Sequence, residues 1–433
     1  MKQSDVQSRL FYVLRKQKGW NLESLSKDLG IPKSTLSSIE NRKSAFSDSQ
    51  FQSAAKLFNI TWTENGNQNL ENVFNAIYSD YFFMQNEQAK QKIISVLQSC
   101  SFTVCSPAYF WCAAILYFGF YLYLDVGKIF PFIKGNEDSV IEKLEDILLH
   151  SIDLFPESVQ LALYDLISFQ RWKTGRMALW KKVRAKAQKA AAGIEVSEAG
   201  GMLAYHEMQY AIRSRSLLEG LRQYQKTKDI FTRFENYPSL SCINMQYGNF
   251  LTQMGKFNEA RDVFLLSLKN ADRPGCYSLK PLILENMIWN SLMAADYLEA
   301  NDLFERLEQL APYTKPQRLK NRIYWPYSLY LVSREQNSLP LRNKAVEVLN
   351  RNLSVTNDYC DQLICQVLSY LIREHFISFF KAIEKAIREL EKLDKQDDIL
   401  FLMKMKENVY YEQKNWELLS QVREEIIAKL EQS

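Results

Sequence analysis

The sequence is short of the residues that interrupt secondary structure. Of 433 residues only 14 are glycine and 11 are proline. Sheets joined by tight turns and disordered segments both use these residues more heavily, which argues against a β-sandwich and against a disordered protein. Long stretches rich in Leu, Ala, Glu, Lys and Gln predict helices, and 47% hydrophobic content is ample for packed cores. The composition therefore predicts an all-α fold of two or three domains.

Few residues of the sequence suggest a catalytic or metal-binding site. The three histidines, His150, His206 and His375, are scattered, and no cluster of His, Cys and carboxylates has the spacing of a metal site. No glycine-rich phosphate loop occurs. We therefore expect no catalytic activity, no metal and no cofactor.

Cysteine is present without a pattern. The seven cysteines are odd in number and lie mostly in apolar helical contexts, and Cys360 and Cys365 lack the second pair that a zinc site needs. The first twenty residues are charged instead of forming an apolar run that ends in small residues. Both observations predict reduced thiols in a cytoplasmic protein.

One long uncharged run occurs, from Ile93 to Leu124. Its second half is just long enough to span a membrane. It is rich in tyrosine, however, and no cluster of Lys and Arg flanks it. We expect a buried helix and no membrane insertion.

The excess positive charge lies at the amino terminus. Residues 1–65 hold ten Lys/Arg against six Asp/Glu, and with 54 basic and 50 acidic residues in all, the rest carries 44 of each. The local +4 would attract phosphates.

This basic segment has the pattern of short helices around a sharp turn. Helix 1 is predicted from Asp5 to Lys18, and helix 2 from Leu22 to Leu29 with Asn21 as its N-cap. Gly30 permits the turn at positive φ, and helix 3 begins at Pro32.

Helix 3 divides into two faces. Leu36 and Ile39 form its core face, whereas Lys33, Ser34, Ser37 and Ser38 occupy the opposite face. A fourth helix opens with the capping box Ser47-Asp48-Ser49-Gln50.

Residues 8–60 resemble the helix-turn-helix domain of the phage-repressor and Cro type, also called the XRE type. The resemblance rests on Leu25-Ser26, Leu29-Gly30 and Ile39-Glu40-Asn41. It implies that double-stranded DNA is a partner, with base edges read by Lys33, Ser34 and Ser38. It also places Thr35, Ser37, Asn41, Arg42 and Lys43 near the DNA backbone or the groove edge.

The sequence departs from that family at three positions. Leu22 stands where the family often has Gln, Pro32 replaces the usual Ser/Thr cap of helix 3, and Arg42 stands where Gly is common. The first departure puts one phosphate contact in doubt.

A polar segment, residues 61–69, predicts a linker between a DNA-binding domain of residues 1–60 and a helical domain of residues 70–433. The helical domain contains a repeat with tetratricopeptide spacings. The first copy is Tyr247-Gly248, Leu251, Gly255, Phe257, Ala260, Phe264 and Ser267, and forty residues later the second is Met287, Ser291, Ala295, Tyr297, Ala300, Phe304, Leu307 and Pro312. We infer a right-handed superhelix of degenerate tetratricopeptide-like helix pairs.

Tetratricopeptide positions predict which side chains face the concave groove of such an array. These are Asn249, Gln253, Asn286 and Trp289. An Asn amide can donate to a carbonyl and accept from an N–H of an extended peptide. Each position is equally compatible with an ordinary solvated side chain.

A repressor-type reader followed by such an array resembles the layout of the RRNPP peptide-pheromone receptors of Gram-positive bacteria, which include the Rap, Rgg, NprR, PlcR and PrgX types. The resemblance implies a cytosolic homodimer whose array binds a short signalling peptide and thereby changes DNA binding, as in quorum sensing. Asn249 and Asn286 are the best candidates for holding the peptide, followed by Asn321 and Tyr210.

Two other functions fit this layout. The array could bind a protein partner with no peptide ligand, and sequence does not separate this possibility from the first. A Rap-like scaffold that has lost DNA binding is disfavoured by the intact polar face at Lys33–Ser38 and the local +4 charge.

Two further segments suggest specific roles. Residues 171–189 carry eight Lys/Arg, Trp172, Trp180 and no acid, which suits a solvated basic helix or contact with phosphates, an acidic membrane or an acidic partner. Ala190–Gly193 and Gly200-Gly201 predict a mobile connection before the next helix.

Overall fold

The structure is a computed structural model that describes residues 2–63, 69–99, 104–106, 108–122, 137–273, 276–310 and 320–432. These residues are almost entirely helical, which confirms the all-α prediction. They form two compact units, Met1–Leu240 and Ser241–Ser433.

The first unit contains the amino-terminal helices and the start of the array. Its helices are α1 Gln3–Gln17, α2 Leu22–Leu29, α3 Lys33–Glu40, α4 Asp48–Phe58, α5 Leu70–Phe82, α6 Asn86–Ser99, α7 Tyr109–Tyr121, α8 Glu137–Ser151, α9 Glu157–Lys173, α10 Met177–Ala190, α11 Glu198–Arg213 and α12 Leu217–Arg233. Strands β1, Thr61–Trp62, and β2, Val104–Cys105, pair in parallel, and a 3-10 turn spans Ile152–Leu154.

Helix α13, Tyr237–Gln253, runs through the boundary between the units. The second unit continues with α14 Phe257–Ala271, α15 Lys280–Met293, α16 Tyr297–Gln309, α17 Trp325–Glu335, α18 Leu339–Val355, α19 Tyr359–Ile372, α20 Phe376–Lys392, α21 Gln396–Glu412 and α22 Trp416–Gln432. Two further 3-10 turns span Tyr277–Leu279 and Lys320–Tyr324.

The helix ends of the amino-terminal bundle follow the predicted chemistry. Asn21 Oδ1 accepts from the backbone N–H of Ser24 at 2.8 Å, and Gly30 ends α2 at φ 66°. Ser47 and Gln50 form both bonds of the capping box that opens α4. Pro32 is the N-cap of α3 and lies just outside the helix.

Part of the predicted linker is ordered structure. Thr61 and Trp62 form β1, and the Trp62 ring packs at 5.3 Å from that of Phe51, in the core of the amino-terminal bundle. Residues 64–68 of the predicted linker lie outside the described residues. The predicted linker therefore begins with a strand that packs on the bundle, and the domain boundary at residue 60 stays a prediction.

The described part of the apolar run comprises the end of α6, strand β2 and helix α7, and the expected buried helix is α7, in the second half of the run. Every residue of α7 after Tyr109 is buried, and the Tyr117 hydroxyl donates to the buried carboxylate of Glu145 at 3.2 Å. Among the described helices, none has the length and apolar character needed to cross a bilayer.

From α9 onward the helices form pairs with a period of about 40 residues. Helices packed as pairs include α9 with α10, α11 with α12, α15 with α16, α17 with α18, α19 with α20 and α21 with α22. The second helices of seven successive pairs begin at Met177, Leu217, Phe257, Tyr297, Leu339, Phe376 and Trp416, in steps of 37 to 42 residues. The forty-residue repeat of the sequence is therefore confirmed, whereas the handedness of a superhelix stays a prediction.

One backbone feature recurs in all seven turns within these pairs. The residue two positions before each second helix has positive φ, between 48° and 73°: Gly175, Arg215, Gly255, Ala295, Asn337, Glu374 and Lys414. The next residue donates its N–H back to a carbonyl five residues earlier, as Lys256 does to Leu251 at 2.9 Å and Asp296 to Ser291 at 2.9 Å. This is the Schellman arrangement that satisfies the last carbonyls of a helix.

Small residues let the paired helices approach, as the repeat motif predicts. A Cβ atom added at Gly248 of α13 would lie 2.7 Å from Cε1 of Phe264 on α14. Beside it, the Ser241 hydroxyl donates to the carbonyl of Ser267 at 2.9 Å.

The expectation of a mobile connection at Gly200-Gly201 is wrong. Both glycines lie inside α11 and are buried. A Cβ atom at Gly201 would come within 3.2 Å of Phe82, Ile230 and Phe231, so this glycine allows close helix packing.

The basic segment 171–189 is divided between two helices. Arg171, near the end of α9, is buried and donates to Glu145 at 2.8 Å, and Arg176 donates to the same carboxylate at 3.2 Å. On α10, Arg184 pairs with Glu207. Three of its eight cations therefore neutralise partly or fully buried carboxylates.

Candidate functional site

The side of α3 that is predicted to contact DNA bases faces solvent. Lys33 and Ser34 are exposed, and Thr35, Ser37 and Ser38 are partly exposed. Leu36 and Ile39 are buried in the bundle. The only ion pair recorded for Lys33 among the described residues is at 3.7 Å to Glu23, with both side chains more than half exposed. Such a pair contributes little in water, so the ammonium group is available to a ligand.

The residues after α3 are held differently from one another. Asn41 Nδ2 donates to the carbonyl of Ser37 at 2.8 Å, and Lys43 is exposed. Arg42 has φ 59°, the left-handed conformation in which glycine is favoured. This explains why the related domains commonly have Gly at this position.

Arg42 also contacts the array. Its guanidinium donates to Oδ2 of Asp153, in the 3-10 turn after α8, and Arg9 of α1 donates to the same oxygen at 2.5 Å. The Tyr12 ring lies 5.4 Å from that of His150 on α8, where α1 packs against α8. A residue that the sequence assigns to the DNA backbone is thus engaged by a carboxylate of the same chain.

A buried ion pair that sequence reasoning missed holds α3 in place. Arg15 of α1 donates to both oxygens of Glu40, at 2.6 and 2.7 Å, and to the carbonyl of Trp20 at 2.7 Å. Both side chains are less than a tenth exposed, and the hydrogen bond to Glu40 raises the pKa of Arg15. Glu40 was part of the motif, but its partner 25 residues earlier has no signal in a single sequence.

The predicted groove residues lie on two helices that touch. The Thr252 hydroxyl of α13 donates to Oδ1 of Asn290 on α15 at 2.8 Å. Asn249 lies one turn before Thr252, Gln253 directly follows Thr252, and Asn286 lies one turn before Asn290. Asn249 and Asn286 are partly exposed, Gln253 is exposed, and Asn286 Nδ2 donates to the carbonyl of Leu282 at 2.7 Å. Asn321 lies in the turn Lys320–Tyr324, and its side chain is outside the described residues.

Trp289 belongs to an aromatic cluster. Its ring lies 5.8 Å from that of Tyr324 and 6.5 Å from that of Phe401 on α21. Lys404 of the same helix donates to the carbonyl of Met293 at 2.9 Å, and burial lowers the pKa of this lysine. Helix α21 therefore packs on the same end of α15 that carries Trp289.

Tyr210 is the predicted peptide residue that lines a cavity. The cavity has a volume of about 630 Å³ and lies among α9, α10, α11 and α12. Tyr210 itself is buried, and burial raises the pKa of its phenol, which stays neutral at ordinary pH. Its hydroxyl is 3.4 Å from the Ser168 hydroxyl.

Comparison with known proteins adds two findings. Residues 12–65 match a family model described as Helix-turn-helix. The fold matches the crystal structure of a Rap protein complexed with Competence and Sporulation Factor, at 11% identity and a TM-score of 0.53, over 84% of this chain and 97% of the Rap chain. The chain joins a helix-turn-helix domain to a Rap-like helical fold. No curated protein matches it.

The two matches cover different parts of the chain and support different conclusions. The helix-turn-helix match begins inside α1 and covers α2, α3, α4 and β1, so it includes every predicted DNA-contacting residue. The Rap likeness, at 11% identity, shows the helical-array fold alone.

Proposed function

We propose that this protein is a cytoplasmic transcription regulator of the RRNPP type. It binds double-stranded DNA through α3 and is controlled by a short signalling peptide bound by its helical array. The observation that carries the DNA half is the exposed polar face of α3 on a complete helix-turn-helix core. The Rap-like fold of the array supports the peptide half.

The side chains on the solvent-facing side of α3 would recognise the bases. Lys33 can donate to guanine acceptors, and the Ser34 and Ser38 hydroxyls can donate or accept at either base type. Lys43 and the amino-terminal positive charge supply phosphate contacts, which set affinity and register but carry no sequence information.

The DNA half is tested with Lys33→Ala and Ser34→Ala. Each good base contact is worth about 1–3 kcal/mol, so the double variant should lose specific operator binding while retaining weak nonspecific binding. Operators selected from random DNA provide the probe, and fluorescence anisotropy measures affinity. The control is Lys27→Ala, an exposed cation on α2. Unchanged specificity in the double variant, with helicity intact, would contradict the assignment.

The peptide half is tested by adding secreted peptides from the producing strain to the protein–DNA complex. A change in operator affinity with one peptide, confirmed by calorimetry with the pure compound, supports peptide control. If no peptide changes DNA binding and a protein is recovered on the array, the protein-partner alternative replaces this half.

A homodimer is part of the same proposal. A dimer places two α3 helices on successive half-sites of an operator, which then has twofold symmetry. Light scattering of the purified protein with and without operator DNA measures the mass. A monomer on a single half-site would contradict the dimer.

A further inference from the structure

The cavity at Tyr210 has an aromatic floor. The indole of Trp172 lies 4.7 Å from the Tyr210 ring at 73°, and the indole of Trp180 lies 5.2 Å from it at 72°. Tyr210 and Ala211 are buried beneath them, and Met177 contributes an exposed thioether chain at the edge. Edge-to-face rings of this kind offer apolar contact area at little cost in side-chain entropy.

The charges around this floor do not balance. Arg184 donates from Nε and Nη2 to the two oxygens of Glu207, and Glu219 accepts from Arg222 and Gln223. Lys173 and Arg213 add two cations at the exposed rim. The guanidinium of Arg213 lies 5.2 Å above the Trp172 ring, which holds it at the mouth of the cavity. With Arg222, which pairs with Glu219, these groups are four cations and two carboxylates, so the charge around the cavity is a net +2.

Net positive charge beside an apolar floor suits an anion with an apolar body. Next to Glu207 and Glu219 a carboxylate meets less repulsion than a phosphate group, which carries close to two negative charges. The carboxyl end of a peptide fits better, because its last N–H groups can donate to Glu219 or to the Ser214 hydroxyl. The volume is within the range of about 300–1,000 Å³ that is usual for small-ligand sites.

We propose that this cavity binds the C-terminal residue of a short peptide, with an apolar side chain against Trp172, Trp180 and Tyr210 and the α-carboxylate at Arg213. This assignment rests on the proposed function and names a site for the peptide in the first unit. It also gives the basic, tryptophan-containing segment 171–189 a role in binding.

The test uses the full-length protein labelled with 5-fluorotryptophan, which gives eight fluorine signals for its eight tryptophans. Trp172→Phe and Trp180→Phe assign the two signals of the cavity. The probes are N-acetyl-leucyl-phenylalanine as the free acid and as the amide. We expect the acid to shift these two signals and leave that of the exposed Trp416 unchanged, with the amide binding at least tenfold more weakly.

Two arginine variants separate the carboxylate contact from general charge. Arg213→Gln should bind acid and amide equally, whereas Arg233→Gln, which removes an exposed arginine outside the cavity, should keep the preference for the acid. Equal binding of the two probes by the wild-type protein overturns the proposal, as does a shift confined to other tryptophans.

The outcome for the cavity is distinguishable from that for the function. A secreted peptide that changes DNA binding equally in wild type and Arg213→Gln refutes the cavity assignment and leaves peptide control standing. If the acid probe binds as expected but no secreted peptide alters DNA binding, peptide control fails although the cavity is a carboxylate site.

Discussion

Ala295, Glu374 and Lys414 adopt a backbone conformation that residues with a Cβ atom rarely take. They occupy the same place in successive turns as Gly255, whose φ is 72°. For L-residues the left-handed region costs roughly 1–2 kcal/mol, and only glycine and, to a lesser degree, asparagine take it readily. The backbone of these turns is therefore strained wherever Ala, Glu or Lys occupies the position that glycine occupies in the turn at Gly255.

This strain predicts opposite effects of reciprocal substitutions. Ala295→Gly should raise the free energy of unfolding by about 1 kcal/mol, and Gly255→Ala should lower it by a similar amount. No atom lies within 4 Å of a Cβ built at Gly255, so backbone conformation is the cause and not a clash. Urea denaturation followed by circular dichroism measures both.

Asn337→Gly is the matched control, because asparagine tolerates φ 48° and little strain is released. All three sites lie in the second unit. A lower midpoint for Ala295→Gly would show that the turn is not strained.

At the scale of elements, the packing of α1 on α8 uses residues that could also contact DNA. Arg9 and Arg42 both donate to Asp153, so one carboxylate of the chain occupies two guanidiniums that would otherwise be open to an anion such as a phosphate. The three side chains are 18%, 29% and 37% exposed, so the ion pairs are weakened by solvent but not negligible.

We expect Asp153→Asn to raise DNA affinity a few-fold for all sequences, because both guanidiniums become available to phosphates. The salt dependence of binding should also steepen, since more phosphate contacts release more counterions. Anisotropy titrations at several salt concentrations measure both quantities.

Glu142→Gln is the control for this substitution. It removes an equal charge from the adjoining helix α8, but Glu142 pairs with Arg176 and not with an arginine of the helix-turn-helix domain. An equal gain of DNA affinity in both variants would mean that the overall charge, and not this contact, controls binding. A lower affinity of Asp153→Asn would show that the contact positions the helix-turn-helix domain for binding.

At the scale of the whole molecule, the DNA-reading face and the predicted groove lie in different units. Lys33 and Ser34 belong to the first, and Asn249 and Asn286 to the second. Control by a peptide that binds in this groove would therefore require a signal between the units.

We expect Asn249→Ala to abolish the response of DNA binding to the cognate peptide while leaving peptide-free binding unchanged. Losing such a hydrogen-bonding side chain in a buried site costs about 1–3 kcal/mol. Asn286→Ala should have a smaller effect, since its Nδ2 already donates to Leu282. Operator titrations with and without peptide test both variants.

Asn270→Ala, on the second helix of the same pair, is the control and should respond as wild type. A normal response in both Asn249→Ala and Asn286→Ala would move the peptide site away from the groove. The Arg213→Gln variant then decides whether it lies at the Tyr210 cavity.

Much of this architecture could be predicted from local patterns. Gly30, Asn21 and the Ser47–Gln50 capping box act through neighbours within a few residues, so the ends of α2 and α4 followed from sequence. The forty-residue repeat was visible because each pair buries the same positions against its neighbours. Helical periodicity and the scarcity of Gly and Pro were enough for the all-α fold.

Tertiary structure alone decided which polar and small residues meet. The sequence around Gly201 suggests flexibility, yet this glycine lies inside a helix and lets Phe82, Ile230 and Phe231 pack closely against it. Asp153 joins Arg9 and Arg42 across more than 100 residues, and Trp172, Trp180 and Tyr210 meet around one cavity. Local sequence determines helices and caps because their partners are a turn away, whereas ion pairs and cavities depend on distant segments brought together by packing.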